Sequence, residues 1–92
     1  MLFFFHCVDK PNSVALRLAT RPDHLKYIDG FRSQYIIGGP ALTEDGQSMI
    51  GSIFIMEHAD RAAAEAYAYG DPYYKAGLFE SVVIRPFKKV MP

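Results

Sequence analysis

Four apolar, β-rich runs and two helix-forming stretches follow one another in the order strand, helix, strand, strand, helix, strand, and together they take up most of a 92-residue chain. That order limits the fold more than any composition does. A strand–helix–strand unit closes through a right-handed crossover, and two such units sharing one sheet put both helices on the same face. The expected class is therefore α+β: a ferredoxin-like βαββαβ chain, with an antiparallel four-stranded sheet and two main helices on one face. A chain of this length makes one domain, residues 1–92.

Each run carries its own boundaries. Leu2-Phe3-Phe4-Phe5-His6-Cys7-Val8 reads as a buried first strand, ended by Asp9-Lys10-Pro11. Asn12 or Ser13 can cap a helix whose apolar positions are Val14, Leu18, Leu25 and Ile28. Pro22 interrupts that pattern, so two consecutive helical pieces are expected, with Thr20 capping the second and Gly30 ending it. Phe31 through Ile37 reads as the second strand, closed by Gly38-Gly39-Pro40. Met49 through Met56 reads as the third, after the polar turn Thr43–Gln47. Asp60 is the expected N-cap of a second helix, Arg61–Ala68, dense in the best helix formers and ended by Gly70. Leu78 through Phe87 completes the sheet, and Pro86 marks it as an edge or exit.

Half the residues are hydrophobic and 14% aromatic, rich for a chain that can bury only a thin core. Phe3, Phe4 and Phe5 point to alternating faces, as do Ile53, Phe54 and Ile55, so the sheet face without helices is apolar too. Packing it on a second copy would remove that surface from water, and a homodimer through the open sheet face is the expected partner state. Ten basic and ten acidic residues cancel, which gives no electrostatic footprint for nucleic acid. Lys88-Lys89 reads as a solvated tail. The apolar run Met1–Val8 is too short to span a membrane and lacks a signal-peptide pattern, which favours the cytoplasm. The one cysteine, Cys7, has no internal disulfide partner and reads as a buried, inert thiol.

The candidate chemistry is carried by few residues. His24 follows Arg21-Pro22-Asp23 where a helix piece is expected to begin. A helix start favours the neutral imidazole that a general base requires; the alternative is a half-buried His holding a backbone group. Asp71, between Gly70 and Pro72, is the carboxylate to pair with it, or the N-cap of Pro72-Tyr73-Tyr74, or both. Gly38-Gly39-Pro40 could supply N–H groups to an oxyanion or form a tight strand exit. Ser52 could reach a pocket, but no Gly-x-Ser-x-Gly elbow surrounds it. His6 and His58 read as structural. No spacing of His, Cys and carboxylates suggests a metal.

Arg21-Pro22-Asp23-His24-Leu25, Gly38-Gly39-Pro40-Ala41, Gly51-Ser52, Gly70-Asp71-Pro72-Tyr73, and Lys75 through Glu80 with Ile84-Arg85-Pro86-Phe87 are, in that order, similar to the motifs of the YciI-like (YCII-related) proteins. The resemblance covers nearly the whole chain. It implies a dimeric α+β barrel and a pocket with a His–Asp pair, carried onto His24 and Asp71, with the pocket serine on Ser52. Tyr73 stands where many members have Phe. Some relatives are dehydrochlorinases, and the wider superfamily holds isomerases and monooxygenases. The expected function is a cofactor-independent lyase- or isomerase-like proton abstraction. In it His24, Asp71 and Ser52 are catalytic, and Arg21, Gly39, Pro40 and Tyr73 bind a small-molecule ligand. The alternative is a non-catalytic small-molecule-binding or accessory dimeric domain.

Overall fold

The burial of the first strand, β1 (Leu2–Asp9), alternates strictly: Phe3, Phe5, Cys7 and Asp9 are buried, while Leu2, Phe4, His6 and Val8 lie on the other face. That period of two gives the whole fold its inside and outside. The computed structural model describes all 92 residues, Met1–Pro92. After β1 come α1 (Val14–Asp29), β2 (Tyr35–Leu42), β3 (Met49–Glu57), α2 (Arg61–Gly70), the single-turn α3 (Pro72–Lys75) and β4 (Phe79–Phe87). The strands form one antiparallel sheet in the order β2-β3-β1-β4, the ferredoxin-like arrangement.

Both long helices cover the Phe5 face. Phe3 and Phe5 of β1, Phe54 and Met56 of β3 and Ile84 of β4 pack on Ala64, Tyr67 and Ala68 of α2, with Tyr27 and Phe31 closing the cluster from the α1 side. Alanine on the inner stripe of α2 lets that helix lie close to the sheet. Asp60 caps it, its carboxylate accepting from Ala63 N at 2.8 Å. The rings meet edge to face around Tyr67, with centroids 5.5 Å away for Phe5 and 4.9 Å for Phe31. Such pairs add about 0.5–1.5 kcal/mol each beyond the area they bury. On the opposite face Phe4, His6, Val8, Ile53, Ile55 and Val83 have no helix over them. Ile53 is 38% exposed and Ile37 66%.

The first helix differs from the sequence expectation in three respects. It is continuous from Val14 to Asp29 with Pro22 inside it, so Thr20 caps nothing and His24 is not at a helix start. Pro22 and Leu18 both face solvent, where water can satisfy the Leu18 carbonyl that the proline leaves without a donor. The inward stripe is also not the apolar one. Val14, Leu18 and Leu25 are exposed, and the buried residues are Arg17 and His24. Neither Asn12 nor Ser13 caps the helix through its side chain. Ser13 Oγ donates to the Pro11 carbonyl, and Asn12 stands outside with φ 58°.

The second strand also departs from expectation. Phe31 precedes a short 3₁₀ turn, Arg32–Gln34, and β2 then runs through Gly38-Gly39-Pro40 rather than ending there. β2 is a sheet edge, and an edge strand tolerates a proline because one side of it has no ladder partner. Pro86 lies in the other edge strand, β4, as expected.

Candidate active site

Arg17 and His24 are seven residues apart on α1, close to two helical turns, so both point at the sheet. Polar side chains buried there need partners, and each has them. Arg17, 2% exposed, donates through Nε to Asp9 Oδ2 at 2.7 Å and through Nη2 to Asp9 Oδ1 at 2.9 Å. Nη2 also donates to Ser52 Oγ at 3.0 Å. The fork on Asp9 is bidentate, the geometry in which a buried guanidinium is best compensated. Burial alone would pull Arg17 down; the Asp9 carboxylate outweighs that and holds it above its ordinary value.

His24 Nδ1 lies 2.9 Å from both oxygens of Asp71. A carboxylate only accepts, so Nδ1 carries the proton and Nε2 is left as the basic nitrogen. Asp71 is fixed in turn by the local chain. It caps α3 by accepting from Tyr73 N at 2.9 Å, with Pro72 at the first helical position. One carboxylate thus does both jobs that the sequence left open. Nε2 makes no bond within the protein, and His58 Nε2 is the one buried side-chain nitrogen or oxygen sealed off without a partner. His24 Nε2 therefore keeps an opening, and the opening is the cleft that His24 lines.

Tyr73 ties the two ends together. Its ring stacks on His24 with centroids 4.0 Å apart and planes at 18°, and the Arg17 guanidinium carbon lies 4.4 Å from its centroid. Two groups that close to one ring, borne two turns apart on one helix, sit on opposite faces of it. Burial raises the Tyr73 phenol, and the nearby Arg17 and Arg21 charges only partly oppose the rise, so the hydroxyl stays protonated.

These side chains line a cleft of about 840 Å³ between α1 and the β2–β3 half of the sheet. Arg21, Gly39, Pro40, Ser52 and Tyr73 all border it, as do Tyr35 and Phe54. Asp71 supports it from behind His24. Gly38 is required here: a Cβ would stand 2.6 Å from Phe54 Cδ1 and displace the ring that flanks His24. Cys7 lies across the β1–β3 ladder from Ser52. Burial, then the Asp71 charge, push its thiol up to about 12, so it is no nucleophile. His6 is on the open face. His58 is buried among Phe3, Phe5 and Tyr67. No three His, Cys, Asp or Glu side chains converge as a metal set, and no helix is long and apolar enough to cross a membrane.

Sequence reasoning missed Arg17 and Asp9. The available signal was spacing, since an arginine seven residues before a candidate base shares its helix face.

The YCII-related domain model matches residues 1–88. Protein YciI of Escherichia coli O6:H1 is 35% identical, covering 98% of this chain and 99% of its own. An uncharacterized protein of Haemophilus influenzae is 32% identical with the same coverage. Among solved structures, 5-chloro-2-hydroxyhydroquinone dehydrochlorinase (TftG) from Burkholderia phenoliruptrix AC1100, in complex with 2,5-dihydroxybenzoquinone, superimposes with a TM-score of 0.90. It is 32% identical, over 96% of this chain and 94% of its own.

Proposed function

This chain belongs to the YCII-related family, and on that premise we propose that its cleft binds a small cyclic molecule and that His24 moves a proton on it without a cofactor. The observation that carries the reading is the His24–Asp71 pair at 2.9 Å, with Nε2 free toward the cleft. In the step, Nε2 takes a proton from the saturated carbon beside a carbonyl, in the keto tautomer of the hydroxylated ring. The C–H electron pair becomes the enolate, and the charge builds on the carbonyl oxygen. Asp71 holds the imidazolium that forms. Ser52 meets the enolate oxygen: its Oγ already accepts from Arg17, so its own hydrogen is left to donate. Arg21, Gly39, Pro40 and Tyr73 shape the binding surface. The resemblance to TftG, a dehydrochlorinase held with a hydroxyquinone, supports a lyase or isomerase acting on oxygenated rings.

As parts of the same proposal, residues 1–92 act as one domain in the cytoplasm, and two copies pair through the open sheet face. The exposure of Ile37 and Ile53 and the apolar side chains of β1 on that face support the pairing.

The test is catalytic. Purified protein is incubated in D₂O with 2,5-dihydroxybenzoquinone, following loss of the ring C–H signal by NMR, and with 5-chloro-2-hydroxyhydroquinone, following chloride release. Wild type should accelerate at least one of these, and folded His24→Ala should not. Equal rates in both proteins would overturn the assignment. A wild type that binds the ring without turning anything over would support a binding domain instead.

A further inference from the structure

The first helix carries an apolar stripe that the core does not use. Val14, Leu18 and Leu25 share one side of α1, yet Leu18 is 54% exposed and Leu25 42%, and the residues that α1 buries are Arg17 and His24. Leu18 lies outside the cleft. Leu25 and the half-buried Ile28 border it, together with Tyr35 and Phe54 from the sheet. Apolar walls around a cavity are the ordinary make-up of a ligand site, and about 840 Å³ is near the upper end of what such sites enclose.

The cleft is also long, and its two ends differ. Arg17 is bonded to Ser52 at one end, where Pro40 pairs with Ser52 across the β2–β3 ladder. Ile28 and Tyr35 mark the other, where the chain passes from α1 through Phe31–Gln34 into β2. Arg17 to Ile28 is helix throughout, about 16.5 Å of rise. Pro40 to Tyr35 is strand throughout, about 16 Å. The two lengths come from different elements and agree, and a single six-membered ring is far shorter than either. The polar groups crowd the first end and the middle, where Arg17, His24, Ser52 and Tyr73 are each no more than 6% exposed. The far end has no buried charge: Lys26, Asp29 and Arg32 are exposed at its rim. The Tyr35 hydroxyl is bonded to that of Tyr67, which leaves the ring as its contribution to the cleft.

We infer that the ligand is elongated: an oxygenated ring at the Ser52–His24 end carrying an apolar substituent, aryl or alkyl, that reaches along α1 to Ile28 and Tyr35. A bare ring would leave the Leu25–Ile28 wall in water, whereas a substituent removes that surface from it. The inference rests on the reading of the cleft as a ring-binding site and adds what the ring must carry.

The experiment is titration calorimetry of the full chain at pH 7 with two neutral probes that share one ring, catechol and 4-phenylcatechol. Wild type should bind 4-phenylcatechol at least about tenfold more tightly. Leu25→Ser and Ile28→Asn should each weaken 4-phenylcatechol by about threefold to tenfold and leave catechol within about twofold. Leu18→Ser, on the same stripe but outside the cleft, should change neither. None of the three positions is in the buried core, so the variants should fold. Equal affinity of wild type for the two probes, or a preference kept in both Leu25→Ser and Ile28→Asn, would overturn the inference and leave the ring-binding reading standing. A loss in Leu18→Ser as large as in Leu25→Ser would also overturn it, by putting the substituent on the outer surface of the helix. Failure of wild type to bind either probe would overturn it together with the ring-binding reading. The titration reads binding alone, so an absence of turnover would sink the His24 assignment without touching it.

Discussion

The Tyr73 ring lies face to face with His24, 4.0 Å between centroids and 18° from parallel, while the backbone N–H of the same tyrosine bonds the carboxylate that holds His24. One residue therefore fixes His24 through its side chain and the partner of His24 through its main chain. Removing the ring should be costly at both levels. Tyr73→Ala should lower stability by about 3–5 kcal/mol, read by urea unfolding, as for other large aromatic truncations in a core. Tyr73→Phe should stay near wild type in stability. A large loss in Tyr73→Phe would mean that the hydroxyl is structural.

The Asp71 carboxylate serves a histidine and a helix cap together. Asp71→Ala should remove both, costing about 1–3 kcal/mol for the unpaired buried ring and about 1 kcal/mol for the cap. The more specific readout is proton NMR. The His24 Nδ1–H should appear as a slowly exchanging, downfield resonance in wild type and be absent from Asp71→Ala. The same resonance persisting in the variant would contradict the pairing.

His58 sets an acid limit on stability. It is buried among Phe3, Phe5 and Tyr67 with Nε2 unpartnered, and burial lowers its pKa below the ordinary 6.5. With the folded value depressed, the unfolded chain binds the proton first as pH falls. The neutral ring's contribution is whole above about pH 6.5 and is lost as pH drops through the folded value. Urea unfolding between pH 5 and 8 should show stability falling on the acid side. His58→Phe should flatten part of that slope, and an unchanged slope would remove His58 from the account.

The two adjacent phenylalanines of β1 should respond oppositely to charge. Phe4 is on the open face, and Phe5 is fully buried under α2. Phe4→Glu should convert a species of twice the monomer mass to monomer in sedimentation while the chain stays folded. Phe5→Glu should unfold it. A wild-type protein that sediments as monomer at micromolar concentration would reject the proposed pairing.

Gly51 has no room for a side chain. A Cβ there would stand 2.6 Å from the Cys7 carbonyl oxygen, a backbone atom that cannot swing away. Gly51→Ala should therefore pry β1 from β3 beside Ser52, lowering the thermal midpoint and disturbing ligand binding together. Wild-type stability in that variant would mean that the two strands part more easily than their ladder indicates.

Local rules read much of this molecule well. The alternation of β1, the Asp60 cap and the Asp71-Pro72 turn are each decided by a few neighbouring residues, and all three could be read from the chain. The inner face of α1 could not, because counting apolar positions assumes that what is buried is greasy. Here Arg17 is drawn inward by Asp9 on β1 and by Ser52, 35 residues away, and His24 by Asp71, 47 residues away. Pro22 and Pro40 misled for a related reason. Whether a proline breaks an element depends on whether its side of the backbone faces solvent or a partner, which only the assembled sheet decides.

Arg17 and His24 share one unbroken helix, and this makes the span between the two buried side chains a property of helical rise, about 10.5 Å for seven residues. Loops can drift in length through descent, but this stretch cannot. A single inserted or deleted residue between positions 17 and 24 would turn one of the two by about 100° and swing it off the sheet, stranding either Asp9 or Asp71. The Tyr73 ring, lodged between them, gauges the same span from the other side. Changes to the shape of the cleft should therefore fall on Tyr73 and on the facing strands, which can change one atom at a time, while α1 keeps its count.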